Sequence, residues 1–109
     1  MTSMFSFLDQ LTTIIASRVG GDPKLSHTAK LLKRGPARIA KKLGEEGVEV
    51  AISAAQGNRE EVVAESADLL FHLLVLWQSM GIQPADVMAE LQRREGVSGI
   101  AEKASRTEE

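Results

Sequence analysis

The stretch GEEGVEVAISAAQGNREEVVAESADLL, Gly44 to Leu70, decides the fold. Its first half has the apolar spacing of a helix and reaches Gly57, a residue suited to the left-handed turn that closes a helix. Asn58 follows, with Glu61 three residues on, the pattern of a capping box that starts a second helix. A connection this short forces the two helices to run antiparallel, side by side. At about 1.5 Å of rise per residue, equal offsets from Gly57 then mean equal heights. Glu49 and Glu65 each lie eight residues from Gly57, and Glu46 and Asp68 each lie eleven. Along their own helices, Glu46 and Glu49, like Glu65 and Asp68, are spaced i, i+3 and share a face. Four carboxylates are therefore expected to meet within about one helical turn.

A lone Glu-x-x-Glu on a helix is ordinarily solvated surface. Two acidic pairs at mirrored offsets, flanked by Val50, Leu69 and His72, are harder to read that way. Four like charges beside a core repel one another and are costly to desolvate. A divalent cation resolves the conflict, and an all-oxygen set suits Mg²⁺, with Mn²⁺ as the alternative, rather than zinc. Glu45 either joins the set from its edge or faces water. A di-iron oxidase would need Glu-x-x-His motifs, and the chain contains none. Carboxylate-held Mg²⁺ fits phosphate chemistry instead.

Outward from the hairpin the pattern stays helical, so the chain reads as all-α with five helices. A first helix is expected from about Met4 to Ser17. VGGDPKLS forms a loop ending in a Ser26 N-cap, and HTAKLLKR a short helix stopped by Gly35. Pro36 opens the third helix, which runs to about Gln56. The fourth runs to about Met80 and stops at Gly81. Pro84 opens a fifth that Gly96 ends. The polar tail, about 97–109, is expected to be loosely ordered, with Ile100 its one anchor. The fourth helix is apolar on nearly every face from Leu69 to Trp77, which other short helices can hardly cover. A homodimer whose subunits together complete a helical bundle is the simplest solution.

With 109 residues, 43% apolar and 26% charged, the chain has the balance of one globular domain, 1–109. Thirteen basic and fifteen acidic residues leave no field that argues for nucleic acid or an anionic membrane. There is no cysteine, which excludes disulfide and thiolate chemistry. The nine-residue run LLFHLLVLW is too short to span a bilayer, and the N-terminus lacks a signal-peptide pattern, so a cytoplasmic location is expected.

Phosphate chemistry also needs cations. Lys30, Lys33, Arg34, Arg38, Lys41 and Lys42 precede Glu45, and most such charge runs are solvated helix faces. Lys42 stands apart, one turn before Glu46 and fifteen residues from Gly57. His72 lies fifteen residues beyond Gly57, which places it level with Lys42. It is either a substrate contact or a histidine satisfied within the core. Ser26 and Thr28 read as helix-capping residues, and Trp77 and the methionines as core.

SHTAKLLKRGPARIAKKLGEEGVEV, followed by NREEVVAESADLLFHLLVLW, resembles the phosphoribosyl-ATP pyrophosphohydrolase family over about residues 8–106. That family belongs with the MazG-like all-α pyrophosphatases, whose EExxE and ExxD signature is matched here by Glu45, Glu46, Glu49, Glu65 and Asp68. The resemblance implies a stand-alone enzyme of histidine biosynthesis. It would hydrolyse 1-(5-phosphoribosyl)-ATP to 1-(5-phosphoribosyl)-AMP and pyrophosphate. The implied roles are metal binding and catalysis for Glu46, Glu49, Glu65 and Asp68, with Glu45 assisting. One carboxylate would act as general base toward a metal-activated water. Lys42 and Lys41 would offset phosphate charge, and Ser26, Thr28 and Lys30 would meet the phosphoribosyl end. Two departures are visible: His27 stands where the family shows tyrosine, and Gly47 where it shows alanine. The alternatives are a MazG-type enzyme clearing non-standard (d)NTPs and a helical dimerisation module whose acidic face is only solvated.

Overall fold

The computed structural model describes Met4 and residues 6–95. Five helices follow one another: α1 (Ser6–Ser17), α2 (His27–Arg34), α3 (Pro36–Ala55), α4 (Arg59–Met80) and α5 (Pro84–Glu95). No strand occurs among the described residues, and the fold is all-α as expected. The Gly96 stop and the tail with Ile100 lie outside the described residues.

Local chemistry sets each boundary. Ser26 caps α2 by accepting a hydrogen bond from the Ala29 amide. A single residue, Gly35 at φ 91°, turns the chain from α2 into Pro36 of α3. At the far end of α3 the Gly57 amide donates to the Ala54 carbonyl and the Asn58 amide to that of Ser53, a Schellman closure. Gly57 takes φ 71° to make it, a conformation that few other residues tolerate. Half of the capping box then forms. The Asn58 side chain accepts from the Glu61 amide at 3.2 Å. The Glu61 carboxylate does not return to the Asn58 amide, which is already committed to Ser53, and reaches the Ser53 hydroxyl instead.

The α3–α4 hairpin is the most extensive interface, with α2 packed on both members and α1 on α4. Ile15, Leu31, Ile39, Leu74 and Val75 make the core, backed by Leu8, Leu11, Leu32, Phe71, Leu76 and Trp77. This core is thin. Phe7 and Ile14 on α1, Val48 and Ile52 on α3, and Val63, Leu70 and Met80 on α4 are all exposed. By length and composition α4 is also long and apolar enough to cross a membrane, with mean hydropathy 1.2 over 18 residues. Every such window of α4 contains both Glu65 and Asp68.

A Cβ added at Gly47, in the interior of α3, would meet open space, and the backbone there is helical. Gly47→Ala should therefore stabilise the protein by about 0.5–1 kcal/mol, read as a higher urea midpoint at unchanged slope.

Candidate active site

Across the facing surfaces of α3 and α4, contacts are made by Glu46, Glu61 and Glu65. Ser53 is buried, and its Oγ lies 2.5 Å from Glu65 Oε1 and 3.3 Å from Glu61 Oε2. A hydroxyl has one proton to give, and the shorter contact marks Glu65 as its acceptor. Seven residues earlier on α3 no such donor serves Glu46, which is only 6% exposed. Its Oε1 lies 2.6 Å from His72 Nδ1. The same nitrogen lies 2.9 Å from the Asp68 carbonyl oxygen. Both neighbours are acceptors, so Nδ1 carries the proton.

Proximity is not pairing here. Glu46 Oε1 is buried without a well-directed hydrogen bond despite its short distance to Nδ1, and His72 Nε2 is buried without any partner. A hydrogen bond weakens steeply when its donor points elsewhere, so the short distance adds little. The His72 ring is held by Phe71, edge to face with centroids 5.2 Å apart. A buried carboxylate oxygen with no aligned donor is a costly feature, and it is what a cation would relieve.

The contacts run one turn out of step with equal heights. Ser53, four residues before Gly57, meets Glu65, eight after it, and Glu46, eleven before, meets His72, fifteen after. The reason is the lean of helical side chains toward the N-terminus. On α3 that lean points away from the turn, and on α4 toward it. Each α3 side chain therefore reaches an α4 residue one turn farther from Gly57.

The remaining acids are less gathered. Glu45, Glu49 and Asp68 are exposed, and Glu65 is half-buried. Among the described residues, no group of three or more His, Asp or Glu side chains is drawn together as a ready metal set. The donor types nevertheless fit Mg²⁺, since all are carboxylates and one of them has its orphaned oxygen on the shared face.

Lys41, Lys42 and Glu45 line a cleft between α2 and α3. The Ser26 hydroxyl is engaged in capping α2, Thr28 is half-buried, and Lys30 is exposed outside that cleft. Sequence reasoning overlooked Ser53, although it and Glu61 both lie four residues from Gly57. It also gave no role to Arg34 and Arg38, which line the same cleft.

The sequence profile of the phosphoribosyl-ATP pyrophosphohydrolase family matches residues 8–95, an interval that includes all five acidic positions. The chain belongs to this family. It is similar to proteins named phosphoribosyl-ATP pyrophosphatase from several bacteria. One from Paramagnetospirillum magneticum is 57% identical over 91% of this chain and 91% of its own length. Another from Gluconobacter oxydans is 55% identical over 94% of this chain and 77% of its own. A third, from Dinoroseobacter shibae, is 52% identical over 93% and 99%.

Replacing the buried carboxylate with its neutral isostere separates its cost from its use. In metal-free protein, Glu46→Gln should raise stability by about 1 kcal/mol, because a buried charge without an aligned donor is removed. Urea unfolding in the presence of a chelator measures this, and calorimetry should find Mn²⁺ binding weakened in the same variant.

Proposed function

We propose that the protein hydrolyses 1-(5-phosphoribosyl)-ATP to 1-(5-phosphoribosyl)-AMP and pyrophosphate, the second step of histidine biosynthesis. The observation that carries this reading is the acidic hairpin of a family member, with the Glu46 oxygen buried and unpaired on its inner face. Mg²⁺ is the proposed cofactor, with Mn²⁺ a substitute, held by Glu46, Glu49, Glu65 and Asp68 and assisted by Glu45. When bound, it supplies charge neutralisation on the phosphate oxygens and a more acidic water.

The chain's own residues do the rest. Ser53 holds Glu65 in a fixed rotamer through its 2.5 Å hydrogen bond, so that this carboxylate keeps one orientation. His72 is anchored to the Asp68 main chain through Nδ1, which keeps its ring beside the Glu46 carboxylate without giving that carboxylate an aligned donor. Burial of Glu46 excludes water from its side of the site. Glu45, Glu49 and Asp68 are exposed, and one of these carboxylates would take the proton from the attacking water. Lys41 and Lys42 balance the charge of the departing pyrophosphate.

The active form in this proposal is a homodimer. Leu8, Leu70, Trp77 and Met88 line an apolar groove of about 380 Å³ between α1, α4 and α5, and α4 also exposes Val63 and Met80. A lipid cover is disfavoured by Glu65 and Asp68, since one acidic residue near a bilayer centre costs roughly 2.5–3.5 kcal/mol. A second copy of the chain buries the same surface and leaves the acidic face to substrate.

Pyrophosphate release should be faster from phosphoribosyl-ATP than from any of a panel of (d)NTPs under Mg²⁺. Preferred turnover of a dNTP would reassign the enzyme to nucleotide clearance. Glu49→Gln and Glu65→Gln should each lower kcat by at least about a hundredfold. Both variants should keep a solution mass twice that of the 11.8 kDa chain, measured by light scattering.

A further inference from the structure

The cleft between α2 and α3 encloses about 290 Å³ and is strongly cationic. From α2 come His27 and Arg34, above a floor made by the buried Leu31. From α3 come Arg38, Lys41 and Lys42, with Glu45 at the end nearest the acidic hairpin. Four fixed cations thus face one carboxylate, in a chain whose net charge is −2. Arg34, Arg38, Lys41 and Lys42 make no ion pair among the described residues. Packing α2 against α3 forces these like charges together, and a multiply charged anion is what relieves their repulsion.

The cleft and the acidic site are two ends of one surface. Arg38, Lys42, Glu45 and Glu49 follow the spacing i, i+4, i+7, i+11, a single stripe along α3. Arg38 and Glu46 are eight residues apart, roughly 12 Å along the helix axis. The substrate assigned above also has two anionic ends: a triphosphate, and a single phosphate on the second ribose. A purine and two sugars separate them, a distance of the same order. Once the carboxylates and the nearer lysines have engaged the triphosphate, the far end of the cleft is left for the monophosphate. Arginine is the side chain whose planar fork matches a terminal phosphate through paired hydrogen bonds.

We propose that Arg34 and Arg38 bind the lone phosphate of the substrate's phosphoribosyl group. In doing so they select a nucleotide with a second ribose phosphate over an ordinary nucleoside triphosphate. The assignment rests on the substrate proposed above. It gives the α2–α3 elbow at Gly35 a purpose, because that one-residue turn brings the two arginines to a common cleft.

The variant Arg34→Gln/Arg38→Gln keeps two exposed side chains of similar reach and removes both charges. It should raise KM for phosphoribosyl-ATP by about tenfold or more and leave kcat within a few-fold. The inhibition constant of ATP, which lacks the second ribose phosphate, should stay unchanged. An unchanged KM, or a parallel loss of ATP affinity, would overturn the proposal, the latter by placing the arginines at the triphosphate. A second measurement needs neither metal nor turnover. Ribose 5-phosphate, titrated into chelator-treated protein, should shift the amide resonances of residues 34–42 in the parent and not in the variant. Ribose should leave them in place, and inorganic phosphate should shift them only at higher concentration. Equal response to inorganic phosphate, or a response that survives in the variant, would mean a non-specific anion site and contradict the assignment. Should the parent bind ribose 5-phosphate in this way yet fail to hydrolyse phosphoribosyl-ATP, the proposed reaction falls while the phosphate site stands.

Discussion

The arrangement of α3 and α4 depends on one conflict: acidic side chains are carried on the facing surfaces of two helices joined by a turn of minimal length. Gly57 fixes the register, and Ser53 and His72 are the groups that lie beside the acids. Neither fully resolves the conflict, because the Glu46 oxygen remains buried and without a directed donor. A fold made only for stability would place an apolar residue there. A carboxylate retained at that depth is what the proposed Mg²⁺ would offset.

The other helices are placed by what this hairpin needs. Ile39 of α3 and Leu74 and Val75 of α4 give it an apolar spine, and Ile15 and Leu31 anchor α1 and α2 to that spine. The position of α2 in turn makes the cationic cleft, so acid and base occupy adjoining segments of one α3 surface. α5 closes with a surface clasp: Arg93 and then Arg94 hydrogen-bond Glu90 and hold its carboxyl down to about 2. Being exposed, that clasp adds little to the fold.

Helix boundaries were legible because each is written in a residue with a local physical role: Ser26, Gly35, Pro36, Gly57, Asn58, Gly81 and Pro84. The offsets about Gly57 led to an expected convergence of four carboxylates, and the described residues do not show it: Glu49 and Asp68 are exposed and no three of the acids are drawn together. The contacts across the hairpin were not legible, because equal heights describe Cα positions, whereas side chains lean toward the N-terminus of each helix. That lean carried Glu46 past Asp68 to His72, and Ser53 past Glu61 to Glu65. Arg34 and Arg38 were hidden for another reason. Along the sequence they read as a solvated charge run, and only the packing of α2 against α3 gathers them. The run from Leu69 to Trp77 looked too apolar for four short neighbours to cover, yet only Leu70 within it is exposed, and the other large exposed apolar residues of α4, Val63 and Met80, lie outside it.

The most direct test of the account is a crystal structure of the protein grown with Mn²⁺, analysed by anomalous scattering. The account predicts an anomalous peak between α3 and α4, with oxygens of Glu46, Glu49, Glu65 and Asp68 around it and the Glu46 carboxylate turned from His72 toward the ion. A fully occupied peak elsewhere, or none on the hairpin at saturating Mn²⁺, would contradict it.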